Sequence, residues 1–327
     1  MSHATFGIAA AAISLLGYPI YALEFFGPGI SPIRSRLFRL LGLHGGTKPR
    51  VVSWGIWAAL QVVIYSGARA QGASDTNLLP LAYFAGCVAI TEPAFWAGYD
   101  RSSAQGFVDY FGLLTDTEPR RAAQFGIKHH TWLCINPKES EDIGLAREVL
   151  SEIPAFLDRP NVLGIGEIGL NKNSRNELVV LDEHIALAKK HNLLILVHTP
   201  HLEDKLKGTR LIMDAIISQG VDPGRVLIDH VEEHTVRLVL DRGFWAGMTL
   251  YPDTKCTPQR AADIFEMHGT DRMWINSAAD WGVSDPLAVP KCRDEMRRRG
   301  HLDAVIRKVS FDNPRAFLSQ SGRFAIS

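Results

Sequence analysis

The chain has no excess of charge of either sign and no closely spaced cysteines. Its 327 residues include 35 basic and 35 acidic side chains, so the formal net charge is zero. Proteins that bind nucleic acids by bulk electrostatics are usually basic, and this balance gives no sign of such a partner. The cysteines contain no Cys-x-x-Cys pair, which predicts buried free thiols in a reducing, cytoplasmic compartment rather than a disulfide framework. They are Cys87, Cys134, Cys256 and Cys292.

Charge is also absent from two apolar runs near the N-terminus, residues 4–23 and 51–67. The first is about as long as a membrane-spanning helix, and basic residues between positions 34 and 50 follow it. No basic region precedes this run, which fits a signal peptide poorly. Residues 4–67 fit a short hairpin anchor whose basic loop faces the cytoplasm, but also a buried helical extension or an error in the gene structure. We therefore separate an atypical apolar extension, residues 1–75, from a domain of residues 76–327.

From residue 86 onward, short apolar segments typical of buried strands alternate with segments of helical periodicity. This alternation predicts βα units and a parallel sheet. A (β/α)₈ barrel of the TIM type needs eight strands, whereas this region supplies seven. The best candidate for a degenerate first strand is residues 60–65, and a doubly wound open sheet is the competing fold. The seven predicted strands are residues 86–91, 130–135, 162–170, 193–197, 226–229, 244–250 and 273–278.

The segment from residue 162 to residue 170 contains a carboxylate, Glu167, where its buried strand should end. A buried carboxylate is costly unless a positive group meets it. A metal ion could supply that charge, and so could Lys172 or Arg175, which follow closely in the sequence. Glu167 is therefore either a metal ligand or one partner of a structural ion pair.

Three further strands end in side chains that bind metals, which favours the metal site. His198 and His230 follow two of the strands, and Asp280 follows the last. Because the carboxyl ends of all strands meet at one mouth of a barrel, these side chains converge with Glu167 there and favour the barrel over the open sheet. Two imidazoles and a carboxylate form a typical zinc site with an open position.

Such a site indicates metal-assisted hydrolysis. The ion lowers the pKa of a bound water from about 15.7 toward about 7 and polarises a carbonyl or phosphoryl oxygen. Asp280 is suited to orient that water and accept its proton as a general base. We predict that Glu167 and Asp280 act in catalysis and that Glu167, His198, His230 and Asp280 bind metal.

Polar residues in the neighbouring loops are candidates for substrate contacts. His201 and Lys205 lie in a loop that opens a helix, where an anionic group would be favoured, although the same charges fit a solvated loop. Glu233 follows His230 and could orient an imidazole, but it also suits the start of a helix. Tyr251 is a weaker candidate at another strand end.

Several of these motifs resemble the TatD-like metal-dependent hydrolases, which are barrels of the amidohydrolase type. The resemblance covers roughly residues 86–317, and longer segments are similar to the TatD-like branch found in ebo-type metabolite clusters. It implies a barrel that hydrolyses a phosphoester or amide-type bond of a small molecule or nucleotide, since the family includes nucleases. The motifs that carry the resemblance are residues 91–96, 166–170, 197–201, 229–230, 279–286 and 313–317.

The chain departs from the family in one motif, because it contains no His-x-His. In the family this motif ends the first strand and completes one of two metal sites. Counted back from residue 86, the pair would fall near Ala68 and Ala70. The resemblance then implies that Glu167, His198 and His230 hold one ion, with zinc as the expected metal and a second site reduced to Glu167 and Asp280. The competing hypothesis is a catalytically impaired barrel that serves as a binding or scaffold protein.

Overall fold

The computed structural model describes residues 86–201, 203–251, 253–280 and 283–326, which all belong to the unit Leu78–Ser327. No helix in these ranges is long and apolar enough to cross a membrane. The apolar runs at 4–23 and 51–67, the candidate strand at 60–65 and positions 68 and 70 lie outside the described residues. The boundary between residues 75 and 76 stays a prediction.

Seven strands form one parallel sheet in which each strand pairs with the next along the chain. All seven correspond to strands predicted from the sequence. A doubly wound sheet would reverse its strand order at a switch point, whereas this order runs without reversal. The sheet is a curled half-barrel, which confirms the barrel-type fold. The strands are β1 (Ala89–Pro93), β2 (Lys128–Leu133), β3 (Val162–Gly169), β4 (Leu194–His198), β5 (Val226–Ile228), β6 (Trp245–Leu250) and β7 (Met273–Ser277).

Helices follow the strands and cover one face of the sheet. The longest of those described, α4, begins with a capping box in which Ser174 and Glu177 satisfy each other's backbone N–H groups,. The described α-helices are α1 (Ala104–Gly112), α2 (Glu118–Ala123), α3 (Ile143–Glu152), α4 (Arg175–Lys190), α5 (Lys205–Ser218), α6 (Val236–Asp241), α7 (Pro258–His268), α8 (Ala288–Arg298), α9 (Asp303–Arg307) and α10 (Asn313–Leu318).

Two helices begin after a residue that is held by an ion pair. Helix α1 begins at Ala104, because both the backbone N–H and the side chain of Arg101 bind the carboxylate of Glu139. The helix expected from residue 233 begins at Val236. Glu233 instead pairs with Arg260 on a later helix.

Alternating side chains of the strands divide the core into two clusters. The larger one packs between the sheet and its helices and includes Ile195 and Val197 of β4. Leu194 and Leu196, which alternate with them, point to the opposite face. His198 has the same parity as Leu194 and Leu196, so β4 directs it to that face. There, α10 contributes to the cluster of Trp132, Leu163, Leu194, Leu196, Leu227, Trp274, Phe317 and Leu318.

Close contact between β3 and β4 depends on two positions of β3 that carry no side chain, Gly164 and Gly166. A Cβ atom on Gly164 would lie 2.1 Å from the carbonyl oxygen of Leu194, and one on Gly166 would lie 2.6 Å from Cβ of Leu196. The register between these strands also shifts between Ile165 and Ile168. The glycines flanking Glu167 in the sequence therefore let β4 approach closely enough to bring His198 beside it.

We expect Gly164→Ala to destabilise the domain by about 1–3 kcal/mol, because the added methyl group overpacks the β3–β4 contact. Gly112→Ala in α1 is the matched control, since a Cβ there meets no atom within 4 Å and alanine favours a helix by roughly 0.5–1 kcal/mol. Urea unfolding of both variants measures the difference. Equal stability of the two variants would contradict the close-packing argument.

Candidate metal centre

Glu167, His198 and His230 meet at the carboxyl ends of three neighbouring strands. The Oε1 atom of Glu167 lies 3.0 Å from Nδ1 of His198 and 2.7 Å from Nε2 of His230. The two imidazole nitrogens are themselves 3.0 Å apart. Among the described residues, this is the group of three or more His, Cys, Asp or Glu side chains whose ligand atoms lie within 4.8 Å of one another.

The carboxylate of Glu167 is buried, and its contacts with both imidazoles favour the ionised form. Burial by itself raises its pKa, but the charge and hydrogen bond of His198, together with those of His230, hold the pKa well below its usual range. The side-chain amide of Asn136 donates to Oε2 at 3.2 Å. The described hydrogen bonds of this carboxylate therefore involve Asn136 and the two imidazoles, not Lys172 or Arg175, which favours the ligand interpretation over the ion pair.

A chain of hydrogen bonds behind His230 determines which ring nitrogen carries its proton. The hydroxyl of Thr249 donates to Oδ2 of Asp229 at 3.0 Å, and Nδ1 of His230 lies 2.8 Å from the same hydroxyl. Because that hydroxyl has a single proton to donate, Nδ1 of His230 must be the donor to it. Asn276 binds the other carboxylate oxygen of Asp229 at 2.9 Å. The relay therefore leaves a lone pair on Nε2, directed toward Glu167.

This tautomer makes the three residues suitable for a cation. With the relay intact, a lone pair of His230 faces the carboxylate oxygen of Glu167 at 2.7 Å, and these two atoms repel each other unless positive charge lies between them. A proton on Nε2 is disfavoured, because burial first and the charge of Lys255 second lower the pKa of His230 to about 4. Metal–ligand bonds of about 2.0–2.1 Å place neighbouring ligand atoms of a tetrahedral site about 3.3 Å apart. The observed spacings of 2.7–3.0 Å are slightly shorter, so a small outward shift of the side chains would admit a metal ion.

The backbone of His230 is held in an unusual conformation. Its φ angle of +60° lies in the left-handed region, which non-glycine residues adopt at a cost of order 1–3 kcal/mol. Lys205 donates from Nζ to the carbonyl oxygen of His230 at 2.7 Å and to Oε1 of Glu232 at 2.8 Å. Lys205 therefore supports the backbone of a candidate ligand, and its predicted contact with a substrate stays a prediction.

The other predicted residues divide between the pocket and its surroundings. Asp280 and His201 line the pocket, and Asp280 accepts a hydrogen bond from the hydroxyl of Tyr251 at 3.0 Å. Asp280 is not part of the three-residue ligand cluster. Burial, followed by the charge of His198, lowers the pKa of His201 to about 3. Glu233 is not among the residues that line the pocket, because Arg260 binds its carboxylate through two nitrogens at 2.7 and 2.6 Å.

Sequence reasoning missed several residues of this site. Asp229 and Thr249 form the relay to His230. The sequence alone does not indicate this relay, because it depends on how the strands pair. Asn136, Lys138 and Lys255 enter the pocket from the loops after β2 and β6. The strand-end pattern that identified Glu167 could have identified Asn136, which directly follows the segment predicted as the second strand. The complete described lining is Phe95, Trp96, Asn136, Lys138, Glu167, His198, His201, His230, Lys255 and Asp280.

Comparison with known proteins gives one family match and one clear relative. Residues 117–266 match the family described as TatD related DNase. An uncharacterized metal-dependent hydrolase of Methanocaldococcus jannaschii is 27% identical over 222 residues, which cover 67% of this chain and 85% of that protein.

Solved structures show the same architecture. The TatD-like protein of Archaeoglobus fulgidus superposes with a TM-score of 0.59 and 28% identity, covering 76% of this chain and 96% of that one. The phosphotriesterase homology protein of Escherichia coli, solved with phosphate in its active site, gives a TM-score of 0.53 at 13% identity, covering 75% and 88%. The similarity to the Escherichia coli protein supports only the fold, because the sequence identity is low. Together, the family match, the Methanocaldococcus relative and the Archaeoglobus structure support a TatD-like metal-dependent hydrolase.

Proposed function

We propose that the chain hydrolyses a phosphoester or amide-type bond of a small metabolite or nucleotide, using one divalent ion, zinc, at Glu167, His198 and His230. The observation that carries this proposal is the convergence of three ligand atoms, 2.7–3.0 Å apart, at the ends of adjacent strands. When bound, such an ion lowers the pKa of water toward about 7 and polarises the bond under attack. Nitrogen and oxygen ligands in this combination are typical of catalytic zinc.

The remaining pocket residues position the reactants in this proposal. Asp280 is the general base, because its carboxylate lines the same pocket as the ligands. Tyr251 holds that carboxylate through a 3.0 Å hydrogen bond, which fixes the direction from which it accepts a proton. His201 is neutral and forms part of the wall beside His198, with ring centroids 6.3 Å apart. These contacts support a substrate site in front of the ligand cluster.

A second candidate function follows from the missing His-x-His motif. A chain that lacks two ligands of a two-metal site could bind substrate without turning it over and so serve as a binding or scaffold protein. The sequence has Ala68 and Ala70 near the positions where the family pattern expects histidines. The two candidates differ in whether Glu167, His198 and His230 are sufficient for hydrolysis.

We also propose a cytoplasmic location. The four cysteines are free in the structure, as expected of a protein in a reducing compartment. Association with a membrane through residues 4–67 stays a prediction.

The proposed centre predicts near-stoichiometric metal in the purified full-length protein. His198→Ala and His230→Ala should each lower metal affinity by at least about 100-fold, since loss of a direct ligand should exceed the 10–100-fold effect of removing an outer-shell partner. His234→Ala is the control, because His234 is exposed and is not among the residues that line the pocket. Chelator competition and elemental analysis provide the measurements. Unchanged metal content in both ligand variants would eliminate the site.

The relay predicts that Thr249→Val lowers metal affinity about 10–100-fold, because His230 and Asp229 lose the hydroxyl between them. Thr249→Ser keeps the hydroxyl and should stay within about threefold of the wild type. Thr209→Val is the matched control, since Thr209 is equally buried but its hydroxyl binds the carbonyl of Lys205 within α5. If Thr249→Val and Thr209→Val have the same metal affinity, Thr249 does not set the tautomer of His230.

The two candidate functions are separated by the double variant Ala68→His/Ala70→His. If the chain is a one-metal hydrolase, the unmodified protein should show metal-dependent turnover without the double substitution. The impaired-barrel hypothesis predicts that turnover of model phosphoesters or amides appears only in the double variant. Steady-state rates with and without chelator, measured for both proteins, decide between them.

A further inference from the structure

Lys138 is placed at the pocket by a rigid support. It follows β2 in a short 3₁₀ turn, Pro137–Glu139, which Asn136 caps by accepting from the backbone N–H of Lys138 at 3.1 Å. The next residue, Glu139, is buried and binds the guanidinium of Arg101 at 2.8 and 3.0 Å. The ammonium group of Lys138 lies 4.5 Å from the ring centroid of Trp96. The backbone of Lys138 is therefore fixed by two residues close to it in the sequence, Asn136 through the cap and Glu139 through the ion pair with Arg101.

Lys255 enters the same pocket from the loop after β6. Its Nζ atom lies 3.5 Å from Nε2 of His230 and 5.1 Å from the ring centroid of Tyr251. Arg260 fixes the backbone of this residue by donating to its carbonyl oxygen at 2.6 Å. Lys255 therefore brings a positive charge to the edge of the ligand cluster.

These two lysines have no carboxylate partner within 4.0 Å among the ion pairs of the described residues. By contrast, Lys205 pairs with Glu232 and Lys291 pairs with Asp285. Burial first, and the charge of Lys255 second, lower the pKa of Lys138, whereas the carboxylates of Glu167 and Asp280 act in the opposite direction. Two half-buried, mutually repelling ammonium groups at one pocket are stabilised when an anion binds between them.

The size and charge of the pocket restrict that anion. Its cavity volume is ≈ 80 Å³, which is room for about five to eight water-sized atoms at roughly 10–15 Å³ each. A phosphate group fits this space, and its negative oxygens are suited to contact the two lysines, whereas Glu167 and Asp280 contribute negative charge to the rest of the lining. Lysine binds phosphate as a point charge, whereas a planar carboxylate is better matched by the fork of an arginine.

We propose that Lys138 and Lys255 bind the phosphate group of a phosphomonoester substrate beside the ligand cluster. This inference rests on the proposed hydrolase and narrows its substrate to the class with a terminal phosphate.

Calorimetric titration of the full-length protein, as purified with its metal, tests the proposal with inorganic phosphate as the probe. Lys138→Met and Lys255→Met should each weaken phosphate binding at least about 10-fold, since each removes one charge–charge contact. Lys138→Arg and Lys255→Arg retain the charge and should stay within about threefold. Lys190→Met, at the exposed end of α4, is the control and should match the wild type. Unchanged phosphate affinity in both methionine variants would overturn the assignment.

A parallel titration with acetate separates phosphate from a carboxylate. Phosphate binding that is tighter than acetate binding and dependent on both lysines supports the proposal, whereas equal or tighter acetate binding overturns it. Metal analysis and turnover of an uncharged ester are recorded on the same samples. A protein that holds metal and cleaves the uncharged ester without binding phosphate refutes this inference alone, and a protein with neither metal nor turnover refutes the proposed function.

Discussion

The buried carboxylate of Glu167 is the constraint on which the site depends. An ionised carboxylate inside a protein is unfavourable by several kcal/mol unless charge and hydrogen bonds compensate it. Here Asn136 binds one oxygen, and the two imidazoles converge on the other. Because His230 directs a lone pair at that second oxygen, a cation held among the three side chains would complete the compensation. The geometry of β3, β4 and β5 therefore has to be maintained as a unit.

Glycine beside Glu167 in the sequence also maintains this geometry, because it lets β4 lie close to β3. A side chain at Gly166 would push β4 away, and with it His198, because its Cβ would lie 2.6 Å from Leu196. A similar requirement holds at Gly247 on β6, where a Cβ would lie 2.5 Å from the carboxylate of Asp229. Close backbone approach thus allows polar side chains to be packed between strands without loss of their hydrogen bonds. The sequence cost is low side-chain volume at positions that would otherwise strengthen the core.

The fold and the convergence of the three candidate ligands could be predicted because each depends on a local pattern. Short apolar runs alternate with helical periodicity, and Glu167, His198 and His230 each stand where such a run ends. Thr249 could not be assigned in this way, since its role depends on β6 lying beside β5. Lys205 and Glu233 resemble substrate-binding residues in sequence, but the fold supplies Glu232 and Arg260 as their partners. Charged residues in the sequence therefore identify loops near the site, whereas ion pairs formed in the fold decide which charged side chains line the pocket.

The buried ion pair between Arg101 and Glu139 positions two loops of the pocket rather than adding much stability. Such pairs contribute little net stability, since desolvation offsets much of their attraction. Arg101 also donates to the carbonyl oxygen of Phe95 at 2.6 Å, whereas Glu139 directly follows Lys138. One ion pair therefore ties the loop that carries Phe95 and Trp96 to the turn that carries Lys138. The aromatic wall and the cation it contacts are fixed together, so the pocket retains its shape on the side away from the candidate metal ligands.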